Sequence, residues 1–106
     1  MEKIYQVCSW GPDGQDDVVY LVQASSFGEA AALVDQDLPV SEARARCSGF
    51  ANAVIELGDT LASERGARVI SGPYFTIAAA RGGFRCWSRD YQDADWYDWS
   101  DENHVA

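Results

Sequence analysis

The chain has 106 residues, 47 % of them apolar, with four Trp, five Tyr and four Phe, enough to bury one hydrophobic core without metal or disulfide. Its 17 acidic against 8 basic side chains give a net charge of -9, which disfavours direct binding to nucleic acid or an anionic membrane and favours a basic partner surface. The three cysteines, Cys8, Cys47 and Cys86, are widely spaced with no C-x-x-C pair, which argues against a disulfide framework or zinc ribbon and for reduced, mostly buried thiols.

The opening stretch MEKIYQVCSW holds one Lys and no long apolar run, unlike a secretory signal. No later run approaches the length of a bilayer span, so the expected compartment is the cytoplasm. Lys3 to Trp10 predicts a strand with Tyr5 and Val7 on one side and Ile4, Gln6 and Cys8 on the other. Gly11-Pro12-Asp13-Gly14 is a concentrated turn signal. Val18 to Ala24 predicts a second strand, with Val18, Tyr20, Val22 and Ala24 on one face, antiparallel to the first.

Ser26-Phe27-Gly28-Glu29 has the spacing of a capping box, in which the serine oxygen accepts from the Glu29 amide while the Glu29 side chain reaches back. A helix is expected from there to about Leu38, with Phe27, Ala30, Ala31, Val34 and Leu38 on one stripe, Glu29, Gln36 and Asp37 in solvent, and Pro39 as its stop. Ser41 to Arg46 can form a short helix ended by Gly49. Asn52 to Leu57 predicts a third strand, with a helix as the alternative its alanines leave open, and the connection from Gly58 to Gly66, with room for a turn of helix, leads into another strand at Ala67 to Ser71.

Gly72-Pro73 reads as a turn, followed by a hairpin closed at Gly82-Gly83, since both glycines tolerate positive φ. That register sets Ala79 against Cys86 and Ile77 against Ser88. It gathers Phe75, Ile77, Ala79, Phe84 and Cys86 on an apolar face and Tyr74, Arg85, Trp87, Arg89 and Tyr91 on the other. A helix over residues 73–81 is the competing reading, but Tyr74, Phe75, Thr76 and Ile77 favour a strand and no polar helical face appears. The expected fold is thus α+β, a two-layer sandwich of a mainly antiparallel sheet with one principal helix packed on one face.

From Asp90 to Glu102 the chain holds six carboxylates and four aromatics with no Lys or Arg. Carboxylates spaced along a chain imitate the phosphates of a nucleic acid, and interleaved aromatics supply buried contact area at an interface. The expected partner-binding residues are Trp87, Asp90, Asp93, Asp95, Trp96, Tyr97, Asp98, Trp99, Asp101 and Glu102. A compatible bland reading packs Tyr91, Trp96 and Trp99 back on the sheet and leaves the acids in water. In domain terms, residues 1–92 form one α+β unit and residues 93–106 an acidic aromatic segment, partly packed on the sheet and frayed at its end.

Other chemistries fit poorly. Asp93-x-Asp95 opens like a calcium loop, but Tyr97 stands where a ligand belongs and Asp98 where the glycine belongs. The single histidine, His104, offers no base to Cys8, Cys47 or Cys86 and cannot form a histidine metal cluster. Gly72, Gly82 and Gly83 lack phosphate-loop spacing. Arg81, Arg85 and Arg89 fall on one side of a strand, with Asp90, Asp93 or Asp95 as expected internal partners. No catalytic residue and no cofactor is expected.

The reading that follows is a non-enzymatic inhibitor that occludes a basic protein, for example a nuclease, toxin or CRISPR effector, without touching nucleic acid or membrane itself. In size, acidity and want of a catalytic set the chain resembles bacterial toxin-immunity proteins and phage anti-CRISPR proteins, a resemblance of layout that carries no residue motif and assigns no residue a role. The alternative is a small-molecule-binding or carboxylate-based enzyme domain with its pocket between helix and sheet. A third reading is a homodimer formed through the aromatic sheet face around Trp87.

Overall fold

Alternation of side chains decides the centre of the molecule. In the computed structural model, which describes residues 2–11, 17–40, 47–59, 66–76 and 85–99, β1 (Lys3–Ser9) and β2 (Asp17–Ala24) pair antiparallel, with Lys3 opposite Ala24 and Ser9 opposite Val18. Tyr5, Val7, Val18, Tyr20, Val22 and Ala24 point to one face and join a single buried cluster. Both expected strands and their pairing are observed, because the period-two pattern leaves one register that buries the apolar set.

α1 (Phe27–Asp37) follows at once and continues as a 3-10 turn over Leu38–Val40. Ser26, in an extended conformation, accepts a hydrogen bond from the Glu29 amide at 3.1 Å. The Glu29 carboxylate reaches back one residue beyond the cap, to the Ser25 amide at 2.8 Å and hydroxyl at 2.9 Å. Ala30, Ala31, Val34 and Leu38 are buried against β1 and β2, with Phe27 partly buried beside them. Asp37 departs from the expected solvent face, because the hydroxyl of the fully buried Tyr20 donates to its carboxylate at 2.7 Å. A buried phenol needs such a partner.

β3 (Ala53–Asp59) pairs with the free side of β1, placing Val54 opposite Val7 on the helix face and Ala53 opposite Cys8 on the other. A bulge near Leu57 shifts the register between Tyr5 and Ile4. The expected short helix within residues 41–46 lies outside the described residues.

The second half corrects the sequence reading. β4 (Arg68–Thr76) runs straight through Gly72-Pro73 and pairs with β2, so these two residues form an irregularity within one strand and not a turn between two. Gly72 has φ 116°, and a Cβ there would stand 2.8 Å from the Val19 carbonyl oxygen. Pro73 lies in an edge strand, where its missing N–H is tolerated. A helix beginning at Pro73 is thereby overturned over residues 73–76.

β5 (Cys86–Ser88) does not return along β4. It pairs with β3, with Val54 opposite Trp87 and Ile55 opposite Cys86, and its other side takes β6 (Tyr97–Asp98). The sheet order is β4-β2-β1-β3-β5-β6, so three strands separate the two arms of the expected hairpin. The glycine pair lies outside the described residues. The face assignment reverses as well, because pairing with Val54 turns Trp87 toward α1 and Cys86 away from it. Trp87 stacks on Phe27 with ring centroids 4.2 Å apart and planes 7° from parallel. Burial of an indole under the first turn of α1 is the driving term, and truncation of such a ring costs about 3–5 kcal/mol. The result is an antiparallel α+β two-layer sandwich with α1 on one sheet face.

Candidate functional site

The site is built outward from Asn52 and Arg89. Asn52 is almost fully buried just before β3, where its side chain accepts from the Trp10 amide at 2.9 Å and donates to the Arg89 carbonyl at 3.1 Å. Its backbone carbonyl accepts from the Arg89 amide at 2.8 Å. The ends of β1, β3 and β5 are thereby tied together. A buried amide with several partners tolerates few other residue types.

Arg89 leaves β5 on the helix side, only 8 % exposed. Its Nη2 donates to Asp35 on α1 at 2.7 Å, its Nε to the Ala51 carbonyl at 2.9 Å and its Nη1 to the Gln92 carbonyl at 2.8 Å. The guanidinium lies 4.3 Å from the ring centre of Trp96. The Asp35 carboxylate also accepts from the Ala51 amide at 2.8 Å. A planar fork is the group that can meet these acceptors at once. Asp35 therefore replaces Asp90, Asp93 and Asp95 as the internal partner of Arg89. Arg85 pairs with Asp98 at 3.6 Å and lies 4.8 Å over Trp87, while Arg81 is outside the described residues.

Pinned through Gln92, residues 90–95 form a turn closed by the Ala94 amide on the Tyr91 carbonyl at 3.0 Å. Asp90, Asp93 and Asp95 are exposed there and have no ion-pair or hydrogen-bond partner among the described residues. The chain then returns to the core at Trp96, which meets Phe27 edge-on at 5.8 Å. Trp99 donates its indole N–H to the Ser88 hydroxyl at 2.7 Å, and its amide donates to the Cys86 carbonyl at 2.9 Å. Tyr97 meets Trp99 edge-on at 4.9 Å.

On the sheet face away from α1 these elements border an open cavity of about 600 Å³. Cys8, Ala53, Ile55 and Cys86 form its sheet floor, and Trp10, Tyr91, Tyr97 and Trp99 stand around it. Asp90 and Asp95, both exposed, lie at its edge. Between helix and sheet, where a pocket was expected, the middle of the layer is filled by the buried cluster of Tyr20, Val34, Leu38, Val54 and their neighbours, and a smaller cavity of about 320 Å³ lies at the first turn of α1, lined by Tyr5, Phe27, Glu56, Arg85 and Trp87 among others. Burial pushes the Cys8 thiol up to about 11, so it is protonated at neutral pH. It forms wall and not nucleophile.

The residues expected at the partner surface divide accordingly. Trp87, only 5 % exposed, is part of the core, a correction that follows from its pairing opposite Val54. Trp96 packs inward on Phe27 and Arg89. Asp90, Asp93, Asp95 and Tyr97 lie at the surface, and Trp99 and Asp98 are half-buried. Asp101 and Glu102 lie outside the described residues, as does His104. Tyr91, 70 % exposed, and Trp10 were missing from the expected set. Period-two alternation places Trp10 on the Cys8 face, but nothing local shows that Tyr91 would come round to meet it.

No protein-family model, curated protein or solved structure matches the chain. No helix among the described residues is long and apolar enough to cross a membrane.

Proposed function

We propose that the chain is a non-enzymatic binding protein that occludes a basic surface on a partner protein that handles nucleic acid, such as a nuclease, toxin or CRISPR effector. One observation carries this reading: the exposed turn that bears Asp90, Asp93 and Asp95 leaves these carboxylates unpaired among the described residues, yet is held in shape by Arg89. Unpaired carboxylates cost little in water and gain much against a complementary surface, where they speed encounter and fix register. A pinned turn loses little further entropy on binding. Beside it, Tyr91 and Tyr97 expose 70 % and 45 % of their surface and supply contact area.

The test is capture from a bacterial lysate with wild type and with the triple variant Asp90→Asn, Asp93→Asn, Asp95→Asn, followed by calorimetry on the purified captured protein. Support is a basic, nucleic-acid-handling protein that competing DNA or RNA displaces and that the variant binds at least about tenfold more weakly. Equal affinity in the variant, or no specific capture, overturns it. The cavity beside the turn supports a second reading, small-molecule binding, since about 600 Å³ falls in the range of roughly 300–1,000 Å³ usual for ligand pockets.

A further inference from the structure

We infer that the smaller cavity at the first turn of α1 binds a free α-amino acid, its carboxylate on the Arg85 guanidinium and the amino end of α1, its ammonium on Glu56, and the Tyr5 hydroxyl between them. This site lies on the helix side of the sheet and does not rest on the occlusion of a basic partner.

Three neighbouring strands set one polar side chain each in a row. Tyr5 on β1 stands opposite Glu56 on β3, and the Glu56 amide donates to the Arg85 carbonyl at 2.9 Å just before β5. Residues opposed across strands share a face, here the α1 face to which Tyr5 and Trp87 belong. Tyr5 is only 2 % exposed and lines the cavity, yet its hydroxyl has no hydrogen-bond partner among the described residues. A buried phenol calls for a polar group, and the cavity is where one can reach it. Burial first, then Glu56, raises the Tyr5 pKa, with Arg85 opposing, so the phenol keeps its proton and can donate.

Glu56 and Arg85 line the same space without meeting. Glu56 is turned to Lys3 at 3.6 Å, and Arg85 to Asp98 at 3.6 Å and to the Trp87 ring at 4.8 Å. Both ion pairs are longer than charge-assisted hydrogen bonds, and no N–H of the Arg85 side chain has an acceptor at hydrogen-bond distance among the described residues. Lys3 is shared further with Asp59 at 3.5 Å. The lining thus sets a carboxylate beside a guanidinium, which suits a ligand of both charges and turns a like-signed group on a simple anion or cation. At the rim the amino end of α1 favours the carboxylate, while the Glu29 carboxylate is occupied by the Ser25 amide at 2.8 Å. The surface a ligand meets comes from Arg85 and Ser26, both exposed, and from Lys3, Phe27 and Glu56, all half-buried. A volume of about 320 Å³ is at the small end of the usual range of roughly 300–1,000 Å³, in keeping with an amino acid.

The experiment titrates each of the common L-amino acids into the intact chain and follows the Arg85 Nε–H, Trp87 indole N–H and Gly28 amide signals by NMR. Saturable shifts at these signals are expected for at least one of them. Its N-acetyl form, which lacks the ammonium, and its amide, which lacks the carboxylate, should each bind at least about tenfold more weakly. Tyr5→Phe keeps the ring in the core and should weaken binding severalfold. Arg85→Gln changes an exposed side chain, so the fold survives, and should weaken binding at least about tenfold. In Glu56→Gln the penalty for N-acetylation should shrink, because the group that holds the ammonium is gone. No saturable binding by any amino acid, equal binding of either blocked form, or shifts confined to residues away from the first turn of α1 overturns the inference. So does unchanged affinity in Tyr5→Phe or Arg85→Gln, or an undiminished N-acetyl penalty in Glu56→Gln.

Discussion

Arg89 ties several parts of the structure to one side chain. It bridges α1, the loop at Ala51, the turn at Gln92 and the Trp96 ring, at 8 % exposure. Breaking a buried ion pair from one side leaves an uncompensated charge, so Arg89→Ala should lower unfolding free energy by about 3–5 kcal/mol. Arg89→Lys should recover less than half of that, because an ammonium cannot replace the fork. Urea unfolding of both variants checks this, and full recovery by Lys would show that charge alone matters. Gly72 carries a different constraint. With φ 116° and backbone 2.8 Å from where a Cβ would sit, Gly72→Ala should cost at least about 1–3 kcal/mol. Unchanged thermal stability in that variant would mean the strand relaxes freely there. Neither role could be read from one-dimensional neighbours, since Asp35 lies 54 residues from Arg89 and the Val19 carbonyl belongs to another strand.

At the scale of elements, α1 shows how a local signal survives folding. Its cap, stripe and stop arise from residues within one or two turns of each other, and all were legible. The Glu29 carboxylate is held below its ordinary range by the Ser25 amide and then by the Ser25 hydroxyl. A depressed carboxyl stabilises the fold above the unfolded value of about 4.3 and loses that contribution as pH falls through the lower folded value. Wild type should therefore exceed Glu29→Gln in melting temperature at neutral pH, with the gap closing below about pH 4. A gap that persists at pH 3 would assign the effect to shape and not charge. The β5 and β6 pair is the opposite case: three and two residues long, they have too little local pattern to declare a partner. The glycine pair favoured a hairpin with β4, but the choice was decided by Trp87, whose ring finds Phe27 only if β5 lies beside β3. Half of the candidate site, Asp90, Asp93, Asp95, Tyr97 and Trp99, was legible as composition. Its cavity was not, because Trp10 and Tyr91 meet only across the assembled sheet.

For the whole molecule, a net charge of -9 acts at a distance that no single contact does. Interactions between exposed charges weaken as the screening length falls to about 8 Å at 0.15 M salt. If a basic partner is met through the Asp90 to Asp95 turn, its association rate should drop steeply as salt is raised toward that value, while dissociation changes little. The triple Asn variant should show a shallower salt slope, measured by stopped-flow mixing. Identical slopes would place the steering charge elsewhere on the surface.

The class of fold, the first two strands, the capped helix and the acidic aromatic composition of the site follow from residues adjacent in the chain or repeating at a fixed period. The place of Trp87 in the core, the pairing of Arg89 with Asp35 and the opening of the cavity on the sheet face away from α1 emerge with the assembled fold. Those outcomes depend on which strands become neighbours. That choice is made by burial of side chains far apart in sequence, and no local propensity records it.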